Sequence, residues 1–279
     1  MVKLFKNFIF KINNMNNHVR LCIFDLGGTI IDKYSLSPFL SLKNAFKMKK
    51  INVNNNLIYK DMDMNKYQHI ETILNDKYIS RNWNKLYGQY PNNNCAMSVY
   101  DEFIKYQMNE GIDNCEILPE TKKCIQWLGD NNISTGVTTG FPRPIMNSLK
   151  EKLIDDDINI NKYVSSTCLG KPGRPNPHMT NEIIKHFNLI FDPKKVIKVD
   201  DTEIGIEEGK NSGILTVGVA KWSTNMKMTN YHQEENMSKE EYVERLKCSR
   251  EALRRANPDY VIDSLDDLPR IINHINSEN

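Results

Sequence analysis

LCIFDLGGTIID, residues 21–32, runs four apolar side chains into Asp25, a glycine pair, Thr29 and a second apolar pair before Asp32. A short apolar run bounded by turn residues is the pattern of a buried strand, here Val19 to Phe24, with its carboxyl end at Asp25. An aspartate in that place serves equally well as a turn cap. The neighbours favour more than a cap. Gly27 and Gly28 leave backbone N–H groups able to approach an anion, and Thr29 adds a hydroxyl. A carboxylate facing such donors suits phosphoryl transfer, as nucleophile or as Mg2+ ligand. No second acid stands two places after Asp25; the residue there is Gly27.

Outward from this stretch, strands are expected in ISTGVTTG (133–140), Lys162 to Ser166, KVIKVD (195–200), LTVGVA (215–220) and DYVID (259–263). Helices are expected over Ser35 to Lys50, Pro119 to Trp127, Pro144 to Lys152, Asn176 to Phe187, Glu203 to Asn211, Ser238 to Arg255 and from about Leu268. Between Asn56 and Glu110 no buried-strand pattern occurs. Helical spacing appears there instead, in Tyr67, Ile70, Ile73 and Leu74 and again in Val99, Phe103 and Tyr106. Strands alternating with helices predict an α/β fold, a parallel sheet with helices on both faces. Ligands of such sheets sit beyond the carboxyl ends of the strands. Asp25, Thr139 and Asp201 all fall at such ends, so one cleft would collect them beneath the helical insert.

The bulk composition narrows the function classes. A chain of 279 residues with 39% hydrophobic and 26% charged content has room for one α/β domain and an insert. Its formal charge of +2, from 37 basic and 35 acidic residues, points to neither nucleic acid nor a membrane surface. No apolar stretch approaches the roughly 20 residues of a membrane span. Six cysteines without a CxxC pair suit free thiols in a reducing, cytoplasmic setting. Residues 1–19 are expected to be a flexible leader; they are basic with short apolar clusters, and organelle targeting stays open. Asparagine clusters such as NVNNN and PNNNC fall between apolar segments, where turns and loops belong.

Three further places carry candidate chemistry. Asp200 and Asp201 end a strand; either Asp201 or Thr202 could cap the next helix, with Glu203 in its first turn. A Mg2+ held by Asp25 and Asp201 accounts for both acidic strand ends, because hard cations take carboxylate oxygen. Thr138 and Thr139 precede Gly140, where a hydroxyl and a backbone N–H can hold a phosphate oxygen. GKPGRPNP (170–177) places Lys171 and Arg174 in a proline-stiffened loop, and guanidinium matches phosphate geometry.

FDLGGTIID, VTTG, the GRP loop and KVDDTEIGIEEGKNSGILTVGVA together resemble the haloacid dehalogenase superfamily, and within it the phosphonoacetaldehyde hydrolases, from about Arg20 to Ile272. That resemblance implies a doubly wound, Rossmann-like core, residues 20–34 and 113–279, with an α-helical cap domain inserted over 35–112. It implies that Asp25 is the nucleophile, forming an aspartyl-phosphate. Mg2+ would bind Asp25, the Gly27 carbonyl and Asp201. Gly28, Thr139, Gly140 and Arg174 would hold a small-molecule phosphonate. MDMNKYQHIE is similar to the cap motif of a methionine, a lysine and a histidine, giving Met62, Lys66 and His69. In the family that lysine forms an imine with the substrate aldehyde, and the imine takes the electrons of the broken C–P bond. Gly27 fits such chemistry, since no ester oxygen needs a proton. A lysine amine, with a reference pKa of roughly 10.4, needs desolvation or a base such as His69 to become a nucleophile. Without the resemblance, Lys66 and His69 read first as a solvated helix face. The resemblance also implies a homodimer packed through the cap.

The chain departs from the family pattern in places. Phe141 stands where a tyrosine is general, Asp63 where a glycine follows the cap methionine, and Gln68 where an acid is usual. Gly205 replaces an acid four residues after Asp201, and Asp200 replaces a glycine just before it. Two further readings therefore stand beside C–P hydrolysis: a phosphatase or phosphotransferase for another small phosphorylated metabolite, and a non-catalytic binding protein on the same fold.

Overall fold

The computed structural model describes residues 18–62, 64–190 and 192–278. The expected leader lies outside these residues up to position 17, as does Asp63 of the MDMNKYQHIE stretch. Val19 is buried, and its N–H donates to Asn276 Oδ1 at 2.8 Å.

The strands are β1 (Leu21–Phe24), β2 (Ser134–Thr139), β3 (Lys162–Ser165), β4 (Val196–Asp200), β5 (Leu215–Val219) and β6 (Tyr260–Ile262). They form one parallel sheet of six strands in the order β3-β2-β1-β4-β5-β6. Every residue of β1 is buried, as its unbroken apolar run requires of a strand covered on both faces. After β3 the chain crosses to the other side of β1, so the switch in winding falls between β1 and β4, the place where such sheets open a crevice. Phe24 is level with Val137 of β2 and Val199 of β4. The next residues, Asp25, Thr138 and Asp200, therefore emerge side by side at one sheet edge.

Between β1 and β2 lie α1 (Leu36–Met48), α2 (Asn55–Tyr59), α3 (Lys66–Asn75), α4 (Lys77–Tyr87) and α5 (Asn93–Tyr106), with no strand among the described residues. A π-helical turn, Gln107–Gly111, continues α5. Asparagine has a structural use in this block. Asn54, Asn65 and Asn92 cap α2, α3 and α5 by accepting from backbone N–H groups of the first turn, and Asp76 does the same for α4. Elsewhere Asn132, Asn188 and Asn257 take left-handed backbone conformations that asparagine tolerates better than most residues.

The remaining helices are α6 (Thr121–Asp130), α7 (Arg143–Asp155), α8 (His178–His186), α9 (Glu203–Asn211), α10 (Lys239–Arg255) and α11 (Leu268–Glu278). Each expected helix is present with ends shifted by a few residues. The shift at the start of α6 has a local cause: Pro119 precedes the helix because Leu118 N and Thr121 Oγ1 both donate to the Ile30 carbonyl, at 3.1 and 2.7 Å, and hold this segment against the loop after β1. One apolar cluster runs from Phe24 and Val199 of the sheet to Phe39, Phe46 and Phe103 of the inserted helices.

Helix α9 lies unusually close to the sheet at Gly209. A Cβ there would come within 2.7 Å of Thr216 Cγ2 and 2.8 Å of Lys198 Cβ. In an open helix Gly→Ala gains up to about 1 kcal/mol. Here overpacking reverses the sign: Gly209→Ala is expected to destabilise by about 1–3 kcal/mol in urea unfolding. A stabilised variant would contradict this packing.

Candidate active site

Asp25 follows β1, is buried, and its N–H donates to the Val199 carbonyl at 2.9 Å. The loop carrying Arg174 is exposed at Gly170, Lys171, Pro172 and Asn176 but turns inward at Gly173 and Arg174. The Arg174 side chain is fully buried, with Nη2 2.6 Å from Asp25 Oδ1. The same nitrogen donates to the Thr138 carbonyl and Oγ1, both at 2.9 Å, while Nε donates to Glu208 Oε2 at 2.9 Å. A guanidinium fixed on several sides is aimed, not merely present. Thr138, not Thr139, meets Arg174. Thr139 Oγ1 accepts from Phe141 N at 3.1 Å, which shapes the turn through Gly140, and the Gly140 carbonyl accepts from Ser166 Oγ at 3.1 Å.

Behind this pair lies a group of buried charges that the strand-end motifs did not indicate. Lys198, in the middle of β4, is fully buried, with Nζ 2.9 Å from Asp200 Oδ2 and 3.6 Å from Glu208 Oε2. It also donates to Thr138 Oγ1 at 2.8 Å, and Arg174 Nη2 lies 3.6 Å from Asp200 Oδ2. Burial alone would raise the Asp200 pKa. The charges of Lys198 and Arg174 and the Thr202 hydrogen bond outweigh that and hold it below the ordinary aspartate range. A lysine inside an otherwise apolar strand was the available signal, since a fully buried lysine needs a partner.

Asp201 packs against the loop that follows Asp25. It accepts from Thr29 Oγ1 at 3.2 Å and from Thr224 N at 2.9 Å, and Thr202 caps α9 by accepting from Gly205 N. Gly28 has φ +71°, and a Cβ there would lie 2.5 Å from Asp201 Oδ2, so only glycine lets the loop close on this carboxylate. Asp25, Asp201 and the Gly27 backbone make an oxygen-only donor set, which fits Mg2+ with solvent completing the shell. Among the described residues no cluster of three or more His, Cys, Asp or Glu side chains offers an all-side-chain metal site. The position of the absent acid is partly filled: a Cβ on Gly27 would come within 3.0 Å of Ser35 Oγ.

The insertion contributes α3. Its cap, Asn65, also donates from Nδ2 to Ser166 Oγ at 3.1 Å, tying the start of the helix to the loop after β3. Lys66 is buried, donates to the Met62 carbonyl, and places Nζ 3.9 Å from Met62 Sδ and 5.8 Å from the centroid of the Phe141 ring. Phe141 follows the Thr139–Gly140 turn, so α3 reaches the edge of the sheet that carries Asp25. His69, one turn further, is fully buried. Burial first, then the charge of Lys66, lower its pKa to about 3, against weaker opposing contacts with the backbone of Ile58 and Leu57. It is a neutral imidazole at pH 7 and a weak proton acceptor. A cleft of about 530 Å³ between Tyr59 and Met62 of the insertion and Thr202 and Thr224 of the core opens beside Asp201; Asp25, Lys66 and Thr139 do not line it.

His69 sets a stability signature. Its folded pKa lies below the unfolded value of 6.5, so the unfolded chain takes up a proton first as pH falls from 6.5 towards 3. The wild type should lose stability relative to His69→Gln by about 1.4 kcal/mol per pH unit over that window, and nothing above it. Urea unfolding of both proteins at pH 7.5, 6 and 5 checks this; a difference that stays constant with pH contradicts it.

The model of the haloacid dehalogenase-like hydrolases matches residues 19–213. A phosphonoacetaldehyde hydrolase of Paraburkholderia phytofirmans is 30% identical over 257 residues, covering 91% of this chain and 94% of its own. Another, from Latilactobacillus sakei, is 30% identical with 91% and 95% covered. The crystal structure of a phosphonoacetaldehyde hydrolase-like protein from Oleispira antarctica superposes with a TM-score of 0.87 at 28% identity, covering 93% of both chains. With Asp25, Asp201 and Arg174 gathered at the carboxyl edge of this sheet, the chain belongs to the haloacid dehalogenase-like hydrolases, alongside the phosphonoacetaldehyde hydrolases.

Proposed function

We propose that this chain hydrolyses the C–P bond of phosphonoacetaldehyde, giving acetaldehyde and phosphate. The observation that carries the reading is Lys66, a buried lysine delivered by an inserted helix to the strand edge of Asp25, in a site whose Asp25 loop has Gly27 in place of a second acid. On this reading residues 35–112 act as a cap over a core of 20–34 and 113–279.

The Lys66 amine adds to the aldehyde carbon, and loss of water leaves a protonated imine. An Asp25 carboxylate oxygen then attacks phosphorus. The C–P bonding pair moves into the imine, which becomes an enamine while Asp25 becomes an aspartyl-phosphate. Protonation of the enamine carbon and hydrolysis of the resulting imine release acetaldehyde and return the Lys66 amine. Water attacks the aspartyl-phosphate and releases phosphate, so one water is consumed overall. Arg174 holds Asp25 from behind and limits its freedom to turn away from phosphorus. Phosphonate contacts are assigned to Gly28, Thr139 and Gly140, and to the Arg174 guanidinium that also holds Asp25. Met62 and Phe141 wall the amine with an apolar surface, and His69 supports α3 from within. Mg2+, held by Asp25, Asp201 and the Gly27 carbonyl, would supply charge to balance the phosphonate oxygens. Exposed Tyr78 and Leu86 on α4 and Tyr90 beyond it suit a homodimer formed through the insertion.

Borohydride reduction in the presence of phosphonoacetaldehyde and Mg2+, followed by peptide mass mapping, tests the reading. A reduced adduct is expected on Lys66 and not in Lys66→Arg; intact substrate with no adduct on folded protein would overturn the imine. Asp25→Asn should separate the two halves of the reaction. It is expected still to trap the adduct while phosphate release falls to background, whereas loss of both would mean that Asp25 also governs imine formation.

A further inference from the structure

The acidic side chain beside Asp201 stands in an unusual relation to the helix that follows it. A Cβ built on Gly205 would fall inside the carboxylate of Asp200, touching its carbon and both oxygens. Gly205 is in the first turn of α9 and Asp200 at the end of β4, so one small volume is shared by two walls. Asp200 fills it from the strand, and the absence of a side chain at 205 is what admits it. The carboxylate is then fixed by Thr202, whose N–H and Oγ1 donate to Oδ1 at 3.1 and 2.9 Å.

From this volume Asp200 faces two buried cations, Lys198 at 2.9 Å and Arg174 at 3.6 Å. Arg174 and Lys198 both lie within ion-pair range of Glu208 Oε2, Arg174 at 2.9 Å and Lys198 at 3.6 Å. Asp200 holds Lys198 at 2.9 Å and so leaves Glu208 to bind Nε of Arg174. That bond sets the plane of the guanidinium and points Nη2 at Asp25, 2.6 Å away. With Asp200 removed, an uncompensated buried lysine would turn to Glu208, the nearest remaining acid, and compete with Arg174 for the same oxygen. The guanidinium would then lose the contact that aims it.

We infer that Asp200 is a positioning residue for Asp25, acting through Lys198, Glu208 and Arg174, and that Asp200 and Gly205 form one coupled unit in which a carboxylate enters a shared volume from one wall or the other. The link to catalysis rests on Asp25 being the reactive carboxylate proposed above; the aim of Arg174 does not.

The test uses full-length Asp200→Asn, Asp200→Gly, Gly205→Asp and the double variant Asp200→Gly/Gly205→Asp. The first readout is the Nε–H resonance of Arg174 in 1H–15N spectra, identified by its loss in Arg174→Lys and protected while Glu208 accepts from it. The second is the affinity for beryllofluoride with Mg2+, a mimic of a phosphorylated carboxylate that needs no knowledge of the substrate. Asp200→Asn, which keeps shape but not charge, and Asp200→Gly should lose the protected resonance and bind beryllofluoride about 10-fold or more weakly. Gly205→Asp should do the same or fail to fold. The double variant should fold, regain the resonance and return to within about 3-fold of wild-type affinity. An unchanged resonance and affinity in Asp200→Asn would overturn the inference, as would a double variant no better than either single. A wild type that binds no beryllofluoride would bring down the phosphoryl-transfer reading instead, and the Arg174 resonance would still decide the coupling.

Discussion

The contact between Arg174 and Asp25, at 2.6 Å in a fully buried setting, is the constraint around which the rest of the site is arranged. A guanidinium enclosed by protein must have its charge answered and its donors used. Glu208 and the Thr138 carbonyl and hydroxyl do this from behind, while Asp25 does it from the strand edge. Lys198 brings a second cation, and Asp200 answers it. The arrangement is possible because β1 and β4 are neighbours in register, which sets Asp25 beside Asp200 and Asp201, and because β2 on the other flank supplies Thr138. Parallel strands with a switch in winding between β1 and β4 thus fix which side chains can meet.

The same edge divides its two acids of β4 between different duties. Asp200 turns inward to the buried cations, whereas Asp201 turns to Thr29 and the Thr224 backbone, against Gly28. Glycine at 28 lets backbone approach a carboxylate closely, and glycine at 27 leaves space that Ser35 partly takes. The insertion reaches this edge through short polar links. Asn65 caps α3 and bonds to Ser166, which in turn bonds to the Gly140 carbonyl, so the helix bearing Lys66 is tied to the turn that bears Phe141.

Much of this was legible in the sequence, for physical reasons. The unbroken apolar run of β1 is what a strand covered on both faces must show, and the acids and threonines that follow such runs mark the carboxyl edge. The asparagine clusters lay where turns were expected, and two of their members, Asn54 and Asn92, are helix caps. The inward direction of Arg174 was not legible, because a proline-stiffened surface loop with two cations has the same pattern whichever of them turns inward; Lys171 stays exposed and Arg174 is buried. Nor was the Asp200, Lys198 and Glu208 group, which is assembled from a strand and a helix face by packing alone. The lysine within KVIKVD was the trace it left. His69 was expected as a base for Lys66; enclosure without a strong partner lowers its pKa to about 3, an effect of tertiary burial that residue spacing cannot convey.

On the proposed reading this site breaks a carbon–phosphorus bond without an acid at position 27. Phosphorus-31 NMR of the purified protein with phosphonoacetaldehyde and Mg2+, beside a parallel sample with a small phosphate monoester, tests it most directly. The phosphonate resonance is expected to give way to inorganic phosphate while the ester survives many turnovers. Rapid hydrolysis of the ester with the phosphonate resonance unchanged would contradict it.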